Sequence, residues 1–209
     1  MRIANVQRQS DRRAEILNAA ERCFAKHGFH QASMQTICAE AGMSPGNLYR
    51  YFPSKEAIIA GIAERNRAQA AADFAAVGKA TEFFGGLATL ARQYLVERTP
   101  EEIGLCAEIM AESRRNPEIA RIYQTIDKDV RDGLVGVLRN AVERGEISPE
   151  LDLERAVIVI LALGDGIEWR RAVDPAFDPE TVLPMVLKMV ECLLTHPTAE
   201  PAKKTEKAP

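Results

Sequence analysis

The sequence predicts an all-α protein of about nine helices, and three observations carry that expectation. Apolar residues recur at helical spacing from Asp11 to Thr195. No stretch alternates with the period of a strand. Glycine, proline and short polar residues fall where helices would start and stop.

Taken in order, Ile16, Ala20, Cys23, Phe24 and His27 share one face of a first helix. Gly28 ends it in the position where a left-handed residue is favoured. Ser33 caps a short second helix that runs to Glu40, and Gly42 follows as a turn residue. Ser44-Pro45, a cap followed by a first-turn proline, opens a short third helix. Phe52-Pro53-Ser54 breaks the chain, and Ser54 caps a long Ala-rich helix from Lys55 to about Val77. Five more helices are expected over roughly 81–98, 101–115, 117–144, 152–171 and 179–195. Asp152, and Asp178 before Pro179, read as N-caps. From His196 onward the chain is rich in Pro, Ala and Lys without a large apolar residue, so 196–209 is expected to be a disordered tail.

Composition excludes several classes. With 46% hydrophobic and 27% charged residues the chain has ample material for a packed core. The net charge of −3 is unevenly spread. Residues 1–67 hold ten Lys/Arg against six Asp/Glu, and the remainder holds 17 against 24. A basic head on an acidic body points to a head that meets a polyanion. Residues 1–8 show no apolar leader, and the longest apolar run, 156–163, is too short to cross a bilayer, so no membrane and a cytoplasmic location are expected. The four cysteines form no CxxC pair and are expected as buried free thiols.

Residues 34–53 carry the pattern of a helix-turn-helix. With Gly42 as the turn glycine, Ile37, Ala41, Met43, Leu48 and Tyr51 stand where two steeply crossed helices must pack apolar groups. Cys38, four residues before the glycine, is the small residue that a close approach requires. The third helix then exposes Asn47, Tyr49 and Arg50, with Ser44 and Gly46 at its start, where side chains reach base edges in a major groove. Lys55 opens the fourth helix and is placed for a phosphate. Arg8, Arg12 and Arg13 are expected on an N-terminal arm that tracks phosphates or enters a minor groove, or else stays mobile and solvated.

The run from Gln35 to Glu56, with its Leu-Tyr-x-x-Phe and Ser-Lys-Glu elements, resembles the signature of the tetracycline-repressor (TetR) family. That resemblance is specific over about residues 10–60. It implies a three-helix DNA-binding domain over 1–54, a ligand-binding and dimerisation domain over 55–195, and binding to double-stranded operator DNA as a homodimer. It implies that Ser33 and Gln35 approach the DNA and that Pro45, Gly46 and Asn47 face bases. Tyr49 and Tyr51 would lie against the backbone, and Lys55 would contact phosphate. Cys38 departs from the alanine usual in the family.

In the body, Asp165 and Trp169 stand one turn apart within an apolar helix. Two readings stay open: a structural acid that bonds neighbouring backbone or pairs with an arginine across an interface, or an acid-aromatic pair facing an apolar or cationic small molecule. Cys106, Ile109, Met110, Tyr123 and Ile126 are candidate walls of the same pocket, or ordinary core. The last helix is apolar over nearly its whole circumference, which one layer of packing cannot bury. Leu161, Leu183, Val186, Leu187, Val190 and Leu194 are therefore the expected dimer interface. Cys23 and His27 one turn apart permit a metal reading, but core packing is the expected fate and no metal or cofactor is anticipated. The only histidines are His27, His30 and His196, and no phosphate loop or nucleophile motif occurs, so no catalytic residue is expected.

Overall fold

The computed structural model describes residues 2–196, with side chains from Arg8 onward. Over these residues it contains nine α-helices, one 3-10 turn and no strand. They are α1 (Arg2–Gln31), α2 (Met34–Glu40), α3 (Pro45–Tyr51), α4 (Lys55–Lys79), α5 (Phe83–Leu95), α6 (Pro100–Ser113), α7 (Pro117–Glu143), α8 (Leu153–Val173) and α9 (Leu183–Thr195). The tail expected beyond His196 lies outside the described residues.

α1 begins well before Asp11, because residues 2–13 hold no Gly or Pro to stop it. Arg8, Arg12 and Arg13 therefore sit on a helix, not on a loose arm. Arg12 pairs with Glu15, and the Arg13 guanidinium lies 4.2 Å over the ring of Phe52. At Gly28 the backbone takes φ 71° and ψ 164°, which breaks the helix, and a further turn follows to Gln31. His27 is exposed, contrary to the expectation that it faces the core with Cys23, which is buried.

α2 and α3 have seven residues each, too short to persist alone. Burial holds them. Ile37 and Leu48 are fully enclosed with Ile16, Phe24 and Phe52, each side chain contributing roughly 1.5–3 kcal/mol. Ser33 caps α2 through the Thr36 amide at 3.1 Å, and the Thr36 hydroxyl accepts from the Ser33 amide at 2.8 Å. Ser44 makes no side-chain cap, unlike the expectation. Pro45 needs no acceptor at that position, and the Ser44 carbonyl takes the Asn47 and Leu48 amides instead. Ser54 caps α4 as expected, accepting from Ala57 at 3.1 Å.

This head core does not stop at Ser54. Ile58, Ile59 and Ile62 of α4, Leu105 of α6 and Ile119 of α7 belong to it. A second core joins α4, α5, α7, α8 and α9. α5 ends at Leu95, sooner than expected, where Arg171 of α8 donates to the carbonyls of Leu95 and Arg98 at 3.1 and 2.9 Å. The last helix is also split. Pro184 has no amide hydrogen and crowds the carbonyl one turn back, so Pro179–Thr181 forms only a 3-10 turn before α9.

Candidate nucleic-acid interface and effector region

The turn between α2 and α3 is built by Gly42 at φ 61°, while the Met43 amide donates to the Cys38 carbonyl at 3.0 Å. Leu48 points inward and anchors α3. The outer face carries Ser44, Pro45, Gly46, Tyr49 and Arg50, all exposed, with Asn47 half-buried. Tyr49, at 52% exposure, presents a large ring that no described residue covers. Arg50 donates to the Asn47 side-chain oxygen at 2.9 Å and lies 5.5 Å over the ring of Tyr51, which is half-buried. Ser33 and Gln35 are exposed at the start of α2.

Between α1 and α3 runs an open groove of about 680 Å³ lined by Arg8, Asp11, Arg12, Glu15, Asn47, Arg50 and Tyr51, so both charge signs face it. Lys55 stands at the start of α4, half-buried. It donates to the Phe29 carbonyl at 2.6 Å and lies 4.4 Å over the Phe29 ring. Of the sequence-derived DNA residues, Asn47, Arg50 and Tyr51 share this groove, and Lys55 is engaged with Phe29.

In the body, Cys106, Met110, Tyr123 and Ile126 are half-buried. Ile109 packs against the head core. Burial pushes the Cys106 thiol up, while Arg98, whose guanidinium stands 3.3 Å from its Sγ, works in the opposite direction. Arg98 also pairs with Glu168 at 2.6 Å, and both side chains are about four-fifths enclosed. Burial, then Asp165 and Asp127, raise the Tyr123 hydroxyl. Asp165 is exposed by area, yet its carboxyl is raised, by desolvation first and then by Glu168 and Asp127. Cys106, Tyr123 and Asp165 therefore share one electrostatic neighbourhood. Trp169 does not join an enclosed wall: it is 53% exposed on α8. The Arg98–Glu168 pair has no counterpart among the sequence-derived expectations. Among the described residues no His, Cys, Asp and Glu group is arranged to hold a metal.

Of the residues expected at the dimer interface, Leu194 has no exposed surface, and Leu183 and Val190 are buried in the chain's own cores. Leu161, Val186 and Leu187 are half-buried against the same cores. The large apolar side chains that α8 and α9 leave open are Ile158, Val159, Trp169, Val173, Met185 and Met189. An all-round apolar helix gives no phase from which to choose.

A basic helical head with an exposed third helix, carried by a helical body, defines a helix-turn-helix regulator. Residues 16–62 match the family of bacterial regulatory proteins called tetR, and residues 86–195 match the C-terminal domain of BetI-type transcriptional repressors. The regulator UidR of Escherichia coli (strain K12) is 35% identical over 158 residues, covering 74% of this chain and 79% of that one. The repressor AcnR of Corynebacterium efficiens is 28% identical over 202 residues, covering 94% and 100%. Among solved structures, GusR of Salmonella enterica superposes with a TM-score of 0.76 at 32% identity, over 88% of this chain and 95% of that one. The chain belongs to the tetR family: it is a DNA-binding transcriptional regulator and not an enzyme. No helix among the described residues is long and apolar enough to cross a membrane.

Proposed function

We propose that two copies of this chain bind a palindromic operator and release it when the body takes up a small molecule. Each head, over 1–54 and the first turns of α4, would read one half-site through Pro45, Gly46, Asn47 and Arg50. Ser33, Gln35, Tyr49, Tyr51 and Lys55 would hold the DNA backbone. The observation that carries this reading is the α2–α3 unit itself, anchored by buried Leu48 and leaving Tyr49 and Arg50 uncovered on the outer face.

The body, from α4 to α9, would supply dimerisation and ligand binding. Its uncovered apolar residues on α8 and α9 support a partner made of a second copy. The effector would bind near Cys106, Tyr123 and Asp165, a reading supported by the electrostatic influence of Asp165 and Cys106 on Tyr123. Acids there and the half-buried apolar side chains around them favour an apolar or cationic molecule. A fold neighbour at 22% identity, FadR of Bacillus subtilis, was solved in complex with stearoyl-CoA, and that ligand is a statement about FadR alone.

The test is enrichment of operator duplexes from a random pool, followed by native mass spectrometry of the complex. Two chains per palindrome, with half-sites about one helical turn apart, are expected. A single chain on an asymmetric site would overturn the reading.

A further inference from the structure

We propose that Glu108, on α6 of the body, is a positioning residue for the DNA contact of Lys55, acting through the backbone of Phe29. This rests on Lys55 meeting an operator phosphate, as proposed above.

Gly28 breaks α1 just before Phe29, and the Phe29 amide donates to Glu108, with Oε2 at 3.1 Å. On the other side of the same residue, the carbonyl accepts from Lys55 Nζ at 2.6 Å. Both backbone groups of one residue are thus held by side chains from two other helices, α6 and α4. The Phe29 ring is 6% exposed, packs 5.7 Å from the Phe24 ring and lies under the Lys55 ammonium. A β-carbon on Gly28 would come 3.3 Å from Glu108 Oε2, so the carboxylate sits directly against the break. One turn further along α6, Glu112 is buried and holds His30 Nε2 at 2.8 Å.

An ammonium has three donors. One is committed to Phe29, and that bond fixes where the others point. If Phe29 shifts, Lys55 loses its orienting acceptor. Glu108 fixes Phe29 from the body, only two residues along α6 from Cys106, which faces Arg98. The same helix therefore touches the effector region and the support of a phosphate contact.

The experiment uses the full chain and an operator duplex enriched from a random pool by the unmodified protein. Affinity is followed by fluorescence anisotropy over a salt series. Lys55→Ala is expected to lower the log K against log salt slope by about 0.9 for each phosphate no longer neutralised, hence about two for a dimer. Glu108→Ala should reduce the slope by most of the same amount, and Glu108→Gln, which keeps a carbonyl oxygen for the Phe29 amide, should restore it. The double variant should be no lower than Lys55→Ala. A structural role alone would weaken binding with the slope unmoved.

A parental slope in Glu108→Ala, or additive reductions in the double variant, would overturn the positioning role while Lys55→Ala still lowers the slope. If Lys55→Ala leaves the slope unchanged, the phosphate contact itself fails and the positioning role falls with it. Should Glu108→Ala not fold, Glu108→Asp withdraws the carboxylate by one methylene and carries the comparison: a reduced slope supports the role, and a parental slope overturns it.

Discussion

The ring of Phe74, on α4, lies against Gly133, on α7: a β-carbon added to Gly133 would stand 2.5 Å from Phe74 Cδ2. α4 begins in the head core and α7 contributes to both main cores, so this close approach locks together the two helices that span the molecule. Glycine is needed here for space, since its backbone is ordinary helix.

Gly133→Ala is expected to destabilise the fold by about 1–3 kcal/mol, because the Phe74 ring must move inside a packed core. Helix propensity alone predicts the opposite sign, a gain of up to ~1 kcal/mol. Gly136, nearly one turn further along α7, has nothing within 4 Å of the added carbon and serves as the control. Urea unfolding should show loss at Gly133 and gain at Gly136. Equal gains would mean that the helices are not interlocked.

The dimer face can be separated from the core by charge. Met189, 51% exposed, stands on the open side of α9, and Leu194, on its closed side, is fully buried. Met189→Asp should give folded monomers that no longer bind operator at ordinary concentrations, because the charge would enter a desolvated interface. Leu194→Asp should unfold the chain. Light scattering and circular dichroism distinguish these outcomes, and a dimeric Met189→Asp would remove α9 from the interface.

The helix-turn-helix is legible in the sequence because all its determinants lie within about twenty residues. Ser33, Gly42, Leu48 and Ser54 each act on near neighbours: two cap helices, one turns the chain, and Leu48 anchors α3. Distance along the chain hides the rest. Arg98 meets Glu168 across 70 residues, and Glu108 meets Phe29 across 79, with no local pattern to announce either. Helical spacing puts Trp169 and Asp165 on one face, but a helix apolar on many sides does not say which face looks outward. The polar residues before Asp11 pattern poorly, so periodicity does not mark the start of α1, although nothing there opposes a helix.

Asp165 gives a pH dependence whose sign follows from its raised carboxyl. A carboxyl that holds its proton more tightly when folded contributes stability below its folded pKa and opposes folding above it. Asp165→Asn should therefore raise the melting temperature slightly at neutral pH, by about 1–2 °C given the residue's exposure. The gain should shrink as pH falls through the range just above the ordinary carboxylate value, where the parent becomes protonated too. Thermal scans from pH 7 down to pH 4 test this. A gain that stays constant with pH, or a loss at neutral pH, would mean that the Asp165 charge is compensated in the fold.

The Arg98–Glu168 pair makes the last prediction. Its side chains are 20% and 19% exposed, so removing one partner strands the other charge in a largely dry site. The guanidinium of Arg98 would keep the Cys106 sulfur and the Tyr94 ring, 5.7 Å away, but no opposite charge that the described residues pair with it. The exposed pair Arg67–Glu64, at 3.5 Å, is the comparison, and such pairs contribute about 0–1 kcal/mol. Glu168→Ala should cost about 2–3 kcal/mol in urea unfolding, against less than ~1 kcal/mol for Glu64→Ala. Replacing both charges, as in Arg98→Met with Glu168→Leu, should recover most of the loss, since an apolar pair leaves nothing unpaired. That recovery is the discriminating result. If the double variant is as unstable as Glu168→Ala, the site depends on Arg98 for more than this one pairing.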